Sequence, residues 1–262
     1  MARLGAALRA VARALAGWGA ILILLLAWEG VARSGAVTAY MLPPLSEVIA
    51  RIAHDTASGD LAVNAALTLY RALTGFAIAT VAGVGLGLAM SRNGSVRWFF
   101  DPLISVGFPM PKIAFLPIIV LWLGYYDVSK IAMVVFDAIF PVVTATIAGL
   151  AGVERELIWS ARNLGARARE LTWQILLPAA LPQIMTGLQV ALPIALIVAV
   201  VAEMIMGGYG IGGAMLTASR FADSRGVFAG IVEIAVIGYA LVTGMALLRR
   251  RLLAWHAEAS NQ

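Results

Sequence analysis

Long apolar runs alternate with short polar stretches along most of this chain. The runs cover residues 15–28, 67–90, 101–123, 131–150, 184–206 and 227–248. Runs of roughly 20 residues fit a hydrocarbon core of about 30 Å when helical. The pattern predicts an all-α polytopic membrane protein with about six spanning helices, organised as one unit over 1–262 with its core at 65–250. Pro43-Pro44 ends any preceding helix, and 45–57 reads as a short interfacial helix with Ser46 near its start.

One polar island interrupts the pattern between the fourth and fifth runs, at 151–182. Leu157, Ile158, Ala161 and Leu164 share the spacing of one helical stripe, with Arg155 and Arg162 elsewhere on the surface. Gly165 follows the stripe as a helix stop. A second short helix then runs to about Leu177, and Pro178 and Pro182 are expected to redirect the chain into the fifth run. Two hinged amphipathic helices can dock into a cleft on a soluble partner or lie on the lipid surface.

Composition agrees with the pattern. Of 262 residues 61% are hydrophobic and 13% charged, with mean hydropathy +0.91. A soluble domain is nearer a quarter charged. The net charge of +5 reflects basic loops kept in the cytoplasm and does not point to nucleic acid. With the N-terminus inside, twelve cations fall on inner segments: Arg3, Arg9, Arg13, Arg92, Arg97, Arg155, Arg162, Arg167, Arg169, Arg249, Arg250 and Arg251. Six fall on outer segments or outer helix ends: Arg33, Arg51, Arg71, Lys130, Arg220 and Arg225. Both termini and the island are therefore expected in the cytoplasm. The basic start and apolar run at 15–28 also suit a cleavable signal, but no small-x-small site follows at the right place, and an anchor helix is the better reading.

Several features bear on chemistry. No cysteine is present, which excludes disulfides and thiol catalysis, and His54 and His256 are too far apart in sequence to suggest a metal site. The small-residue stretch Ala82 to Ala89 reads as a helix-packing face. It has neither the spacing nor the preceding strand of a nucleotide-binding loop. No phosphate-binding Gly-x-x-x-x-Gly-Lys-Ser/Thr occurs, so any ATP chemistry belongs to another chain. Charges inside the runs are costly and mark function or pairing: Lys112, Asp137, Glu203 and Glu233. Lys112 could meet an anionic solute or pair with Asp137 if their spans are adjacent. Glu203 suits a gating or packing role near the outer mouth, or a solvated carboxylate at the interface. Gly207 to Gly213 is expected to be a sharp outer loop, followed by a polar stretch from Ser219 to Arg225.

The island carries a resemblance. Ser160-Ala161-Arg162-Asn163-Leu164-Gly165-Ala166, then Ile175-Leu176-Leu177-Pro178 through Leu181-Pro182, closely resembles the cytoplasmic EAA loop of ABC importer permeases. Tyr70-Arg71 with Gly75-Phe76, Asp101-Pro102-Leu103, Pro109 and Pro111-Lys112 with Ala114 and Pro117, Leu121 to Gly124, Phe140-Pro141, Thr186-Gly187-Leu188 and Ala202-Glu203-Met204 extend it from about residue 65 to the C-terminus. The subfamily it resembles takes nitrate, sulfonates, taurine and related organic acids or vitamin precursors. Trp159 stands where the family's name-giving glutamate would fall, so a contact through that acid is not carried over.

The resemblance implies a permease subunit in a bacterial inner membrane. A second copy, two cytoplasmic ATP-binding subunits and a periplasmic solute-binding protein would be its partners, with membrane lipid around it. It implies no cofactor of the chain's own and no catalytic residue. The coupling residues would be Leu157, Ser160, Ala161, Arg162, Leu164, Gly165, Ala166 and Pro178, on a coupling helix from about Ser160 to Arg169, with Lys112, Asp137 and Glu203 along the pathway or its gate. A self-sufficient secondary transporter or channel would call for inverted repeats with matching broken helices, and none is visible. A membrane enzyme would need a catalytic constellation that the isolated histidines and spaced acids do not form.

Overall fold

The computed structural model describes residues 19–254, and every regular element among them is helical. The elements are α1 (19–33), α2 (Leu45–Ser58), α3 (Asp60–Arg92), α4 (Gly94–Gly107), α5 (Leu116–Leu123), α6 (Asp127–Ala151), α7 (Arg155–Asn163), α8 (Ala168–Glu170), α9 (Leu177–Met206), α10 (Ile211–Arg220) and α11 (Ser224–Leu252). Four continuous helical stretches are long and apolar enough to cross a membrane: Asp60–Arg92, Asp127–Ala151, Ala168–Met206 and Ser224–Leu252. They match the second, fourth, fifth and sixth expected spans. The first expected span, 15–28, lies partly outside the described residues.

The third expected span is not a kinked helix. It is α4 joined to a 3-10 turn and α5 across a bend of 101°. The reason is local. Pro109 and Pro111 lack the N–H that a helix needs, and a residue before proline is pushed out of the helical region. The connection between the second and third runs shrinks to one residue outside the helices. Asn93 ends α3, and its side chain accepts the Ser95 and Val96 N–H groups at 2.9 and 3.4 Å, starting α4 early.

The centre of the molecule is the packing of α3, α6 and α9. Gly75, Ala79, Gly83 and Gly87 recur every fourth residue and are all buried on one face of α3. They meet a matching row on α6. A Cβ at Gly75 would lie 2.5 Å from a Val134 methyl, one at Gly83 2.8 Å from Val142, and one at Gly87 2.7 Å from Thr146. On α9, a Cβ at Gly187 would lie 2.3 Å from that of Ala145. In lipid no hydrophobic force drives helices together, so close backbone approach through small residues supplies dispersion contact instead. The small-residue stretch expected to be a packing face is one, but its active register starts at Gly75, and Gly85 faces open space.

The helix expected at 45–57 forms as α2. Ser46 does not cap it: its N–H and hydroxyl go to Glu29 of α1 at 3.1 and 2.9 Å. Arg51 of α2 bridges Asp55 and Asp223, while Arg225 pairs with Glu47 at 2.8 Å. Burial works to raise the Asp223 carboxyl, but the Gly226 N–H and the Arg51 guanidinium outweigh it and hold the group below the usual carboxylate range. So α2 straps the turn between α10 and α11.

The packing face makes a paired expectation. Gly83→Leu overfills the α3–α6 contact and should cost about 1–3 kcal/mol, read as a lower unfolding temperature of the detergent-solubilised protein. Gly85→Leu, on the open side of the same helix, should leave that temperature unchanged.

Candidate functional site

Three places stand out, at the two ends of the α3–α6–α9 body and midway along it. The first is the polar island. Glu156 lies in the first turn of α7 and Arg162 in its last, both favourable to the helix dipole. The helix closes on Gly165, at φ +89°, a left-handed conformation that a β-branched residue resists. The Ala166 N–H reaches the Ala161 carbonyl at 3.0 Å and the Gly165 N–H that of Arg162 at 2.9 Å, the paired bonds of a Schellman stop.

The stripe expected to act as one docking face is divided. Ile158 packs into a cluster with Leu150, Val153, Ala180 and Ile184, and Ala161 is buried. Leu157 and Leu164 point outward, Leu164 being 86% exposed. One helix face therefore anchors α7 to α6 and α9, and the adjoining face is offered outside. Ser160 and Arg162 are exposed, and so is Trp159. Trp159 lies three residues from Arg162 and four from Arg155, on one helix face with both. The expected coupling helix, Ser160 to Arg169, is instead Arg155–Asn163, because the Gly165 stop falls inside the expected range.

The expected redirection at Pro178 and Pro182 does not occur. From Ala168 the chain runs as one helix to Met206. A π-helical stretch, Leu171–Leu176, leads into it, and the Leu177 N–H bonds to the Thr172 carbonyl. Pro178 follows the π-helical stretch, and Pro182 stands inside α9. The island's second half is thus the end of the fifth span itself. Arg92 at the end of α3 donates to the Ala168 carbonyl at 3.2 Å, tying a third helix to the same place.

The second place lies at the opposite end of the bundle. Glu203 is fully buried, which excludes the solvated carboxylate. Arg71 Nη1 donates to Glu203 Oε1 at 2.5 Å and to the Tyr209 carbonyl at 2.7 Å, and its Nε donates to Asp127 at 2.8 Å. The Thr68 hydroxyl donates to Glu203 Oε2 at 2.9 Å and accepts the Ile211 N–H at 3.0 Å. Glu203 also accepts the Gly212 N–H at 3.1 Å. Lys130 holds the Gly207 carbonyl at 3.0 Å, and Asn64 accepts the Gly210 N–H at 2.9 Å. The glycine-rich segment is consequently a shaped connection and not a free loop. From Ile211 it is already the helix α10, and Gly212 lies so close to α9 that a Cβ would meet the Val200 carbonyl at 2.2 Å. The polar stretch expected from Ser219 is largely the end of α10 and the start of α11.

Arg71, Thr68, Asp127 and Lys130 were not singled out by their sequence as partners of Glu203. Arg71 and Lys130 read as boundary cations. The usable signal was that both stand at the same end of long apolar runs as Glu203, where an unpaired buried carboxylate is prohibitively costly.

The third place is the α4–α5 bend. Lys112 is 7% exposed, and its Nζ stands 3.1 Å from Asp137 Oδ1, 2.9 Å from the Phe108 carbonyl and 4.7 Å from the centre of the Phe140 ring. The pairing weighed in the sequence is present. At this bend Lys112 is held by a carboxylate and by backbone carbonyls.

Comparison with known proteins places these features in a family. Residues 61–254 match the family described as binding-protein-dependent transport system inner membrane component. The chain is 33% identical to the taurine transport system permease protein TauC of Escherichia coli (strain K12), covering 92% of this chain and 89% of that protein. It is 32% identical to the formylaminopyrimidine transport permease protein ThiX of Halalkalibacterium halodurans, covering 89% and 93%. A Bacillus subtilis (strain 168) protein named for aliphatic sulfonate transport is 31% identical over 89% of this chain and 84% of its own length. Among solved structures, an inward-facing form of the MetNI methionine ABC transporter superposes with a TM-score of 0.66 at 14% identity, covering 76% of this chain and 98% of that one. An amino acid ABC transporter gives 0.60 at 16% identity, covering 75% and 94%. The chain belongs to the binding-protein-dependent transport system inner membrane components, the permease subunits of ABC importers.

Proposed function

We propose that this permease, paired with a second copy of itself, forms the pathway of an importer for a small sulfonate-type organic acid. A separate ATP-binding subunit drives it from the α7 side, and a solute-binding protein feeds it from the Glu203 side. The solute class rests on the taurine and aliphatic sulfonate permeases among its relatives. The observation that carries the coupling role is α7 itself. It exposes Leu157 and Leu164 at the end of the bundle while Ile158 fastens it to α6 and α9. Ser160, Arg162 and Ala166 complete the docking segment, and Gly165 and Pro178 set its shape.

The single helical stretch from Ala168 to Met206 makes a lever. At about 1.5 Å per residue it spans nearly 60 Å, longer than the bilayer core. A push on α7, which Ile158 fastens to α9, therefore reaches the Glu203 end along a single helix. There the Arg71–Glu203 pair pins α3, α6, α9 and α10 together, and release or repacking of this pin would change access on that side. Charge distribution favours cytoplasmic termini. Of the six cations counted outside, Arg71 and Lys130 are buried, which leaves four outside against nine inside among the described residues. The 151–182 segment then faces the cytoplasm and works as the coupling part of one continuous permease unit.

Three outcomes check this reading. Leu164→Asp puts a charge into the apolar docking contact, and the ATP-binding subunit should no longer co-purify although the permease still inserts. Gly165→Val should keep insertion but lose most ATP-driven uptake in liposomes. Uptake at the normal rate by that variant, or by permease alone without the ATPase, would sink the coupling reading. Arg71→Ala orphans a buried carboxylate and should cost about 3–5 kcal/mol, seen as loss of the protein from membranes. Arg71→Met with Glu203→Gln should recover the protein but not uptake; normal uptake would rule out the pin as part of the cycle.

A further inference from the structure

The α4–α5 bend contains backbone that lipid cannot accept. Between Gly107, the end of α4, and the 3-10 turn that starts at Lys112, the chain is not helical. Phe108, Pro109 and Pro111 are exposed there. By its length α4 reaches roughly 21 Å along its axis before the bend, far enough to place irregular backbone inside the hydrocarbon zone. Irregular backbone survives at that depth only against protein or a water-filled cavity. The bend therefore faces the pathway, alone or at the contact of two copies.

The charges at this bend are balanced and unequally engaged. Lys112 is committed to Asp137, the Phe108 carbonyl and, at 3.5 Å, the Met110 carbonyl, with the Phe140 ring beside it. An ammonium has three protons to donate, so little donor capacity is left. Asp137 is different. Its side chain is 24% exposed, and an ionised carboxylate has about four acceptor positions. Phe136 stands edge-on to Phe140 and to Phe115, with centroids at 6.1 and 5.5 Å, a stiff apolar wall next to the pair.

We propose that Lys112, Asp137 and the Phe108 bend form a transit site for a zwitterionic solute, a short chain with an ammonium at one end and a strong acid at the other. The inference takes the pathway from the importer reading and adds the solute's charge type. The solute's ammonium bonds to Asp137. Its acid group then takes over part of Lys112, so one ion pair becomes two and the site stays neutral. A solute with a net negative charge would have to sit beside Asp137 with Lys112 already engaged, which is expensive at low dielectric. The anionic expectation drawn from Lys112 alone is narrowed, because Lys112 does not act alone.

The natural chain has no cysteine, so Phe108→Cys gives a unique thiol on the permease. The whole transporter, permease with its ATP-binding subunit, is placed in liposomes without nucleotide and treated with a charged methanethiosulfonate reagent. The thiol should be modified. Aminoethanesulfonate should slow the modification several-fold, ethanesulfonate at the same concentration should not, and adding Asp137→Asn should abolish the protection. Absence of modification in both Phe108→Cys and Pro109→Cys would overturn the proposal. So would equal protection by the two solutes, or protection that survives Asp137→Asn. ATP-driven uptake is read separately in liposomes holding the natural permease. Its absence beside selective protection would refute the importer reading and leave the transit site standing.

Discussion

The structure depends on how closely α3 can approach α6. Four small residues, Gly75, Ala79, Gly83 and Gly87, bring the two backbones together along three helical turns. Gly187 does the same between α9 and Ala145. Between apolar helices in an apolar solvent, contact area at short range is most of what holds them, and a side chain on any of these positions would push the helices apart. Everything assigned a role is fastened to this body. The island hangs on it through Ile158 and Arg92, the glycine-rich connection through Glu203 and Arg71, and the bend through Asp137 on α6.

That arrangement explains why charge is tolerated where it is. Two of the costly groups within the apolar zone are answered by a partner from another helix: Glu203 by Arg71 of α3, Lys112 by Asp137 of α6. A buried pair of this kind adds little net stability, because desolvation consumes most of the attraction. What it adds is definiteness. The Arg71–Glu203 pair admits one arrangement of α3, α9 and the Tyr209 backbone. Such a contact, strong when formed and costly when half-broken, suits a part that must be in one of two positions and not between them. The bend pair is looser on one side, which is why Asp137 and not Lys112 has room for a visitor.

At the other end, the continuity of Ala168–Met206 changes how the island works. Two hinged helices and a proline exit would have made a flexible adaptor. A π-helical stretch running into the fifth span makes the island's second half part of that span, and the turn between it and α7 is the one at Gly165. The split of the α7 stripe follows from the same geometry. Ile158 and Ala161 are spent on anchoring, and Leu157 and Leu164 remain for an outside partner.

The sequence by itself determined the class of protein, the four long spans, the island and its glycine stop, and the short list of charges worth watching. These are local matters. Helical period, span length, a left-handed turn and the expense of charge in lipid are all legible one segment at a time. The tertiary structure alone decided which charges meet, which small residues carry the packing, and whether the prolines break a helix. Pro109 and Pro111 bend the third span by 101° while Pro178 and Pro182 sit inside a continuous helix. The same residue type has opposite outcomes: Pro178 follows a π-helical stretch and Pro182 stands in the interior of α9, where packing against neighbouring helices keeps the helix continuous despite the missing hydrogen bond. Arg71 looked like a boundary cation, for nothing in its neighbours along the chain announces a carboxylate 132 residues away. Its role exists only once α3 and α9 lie side by side.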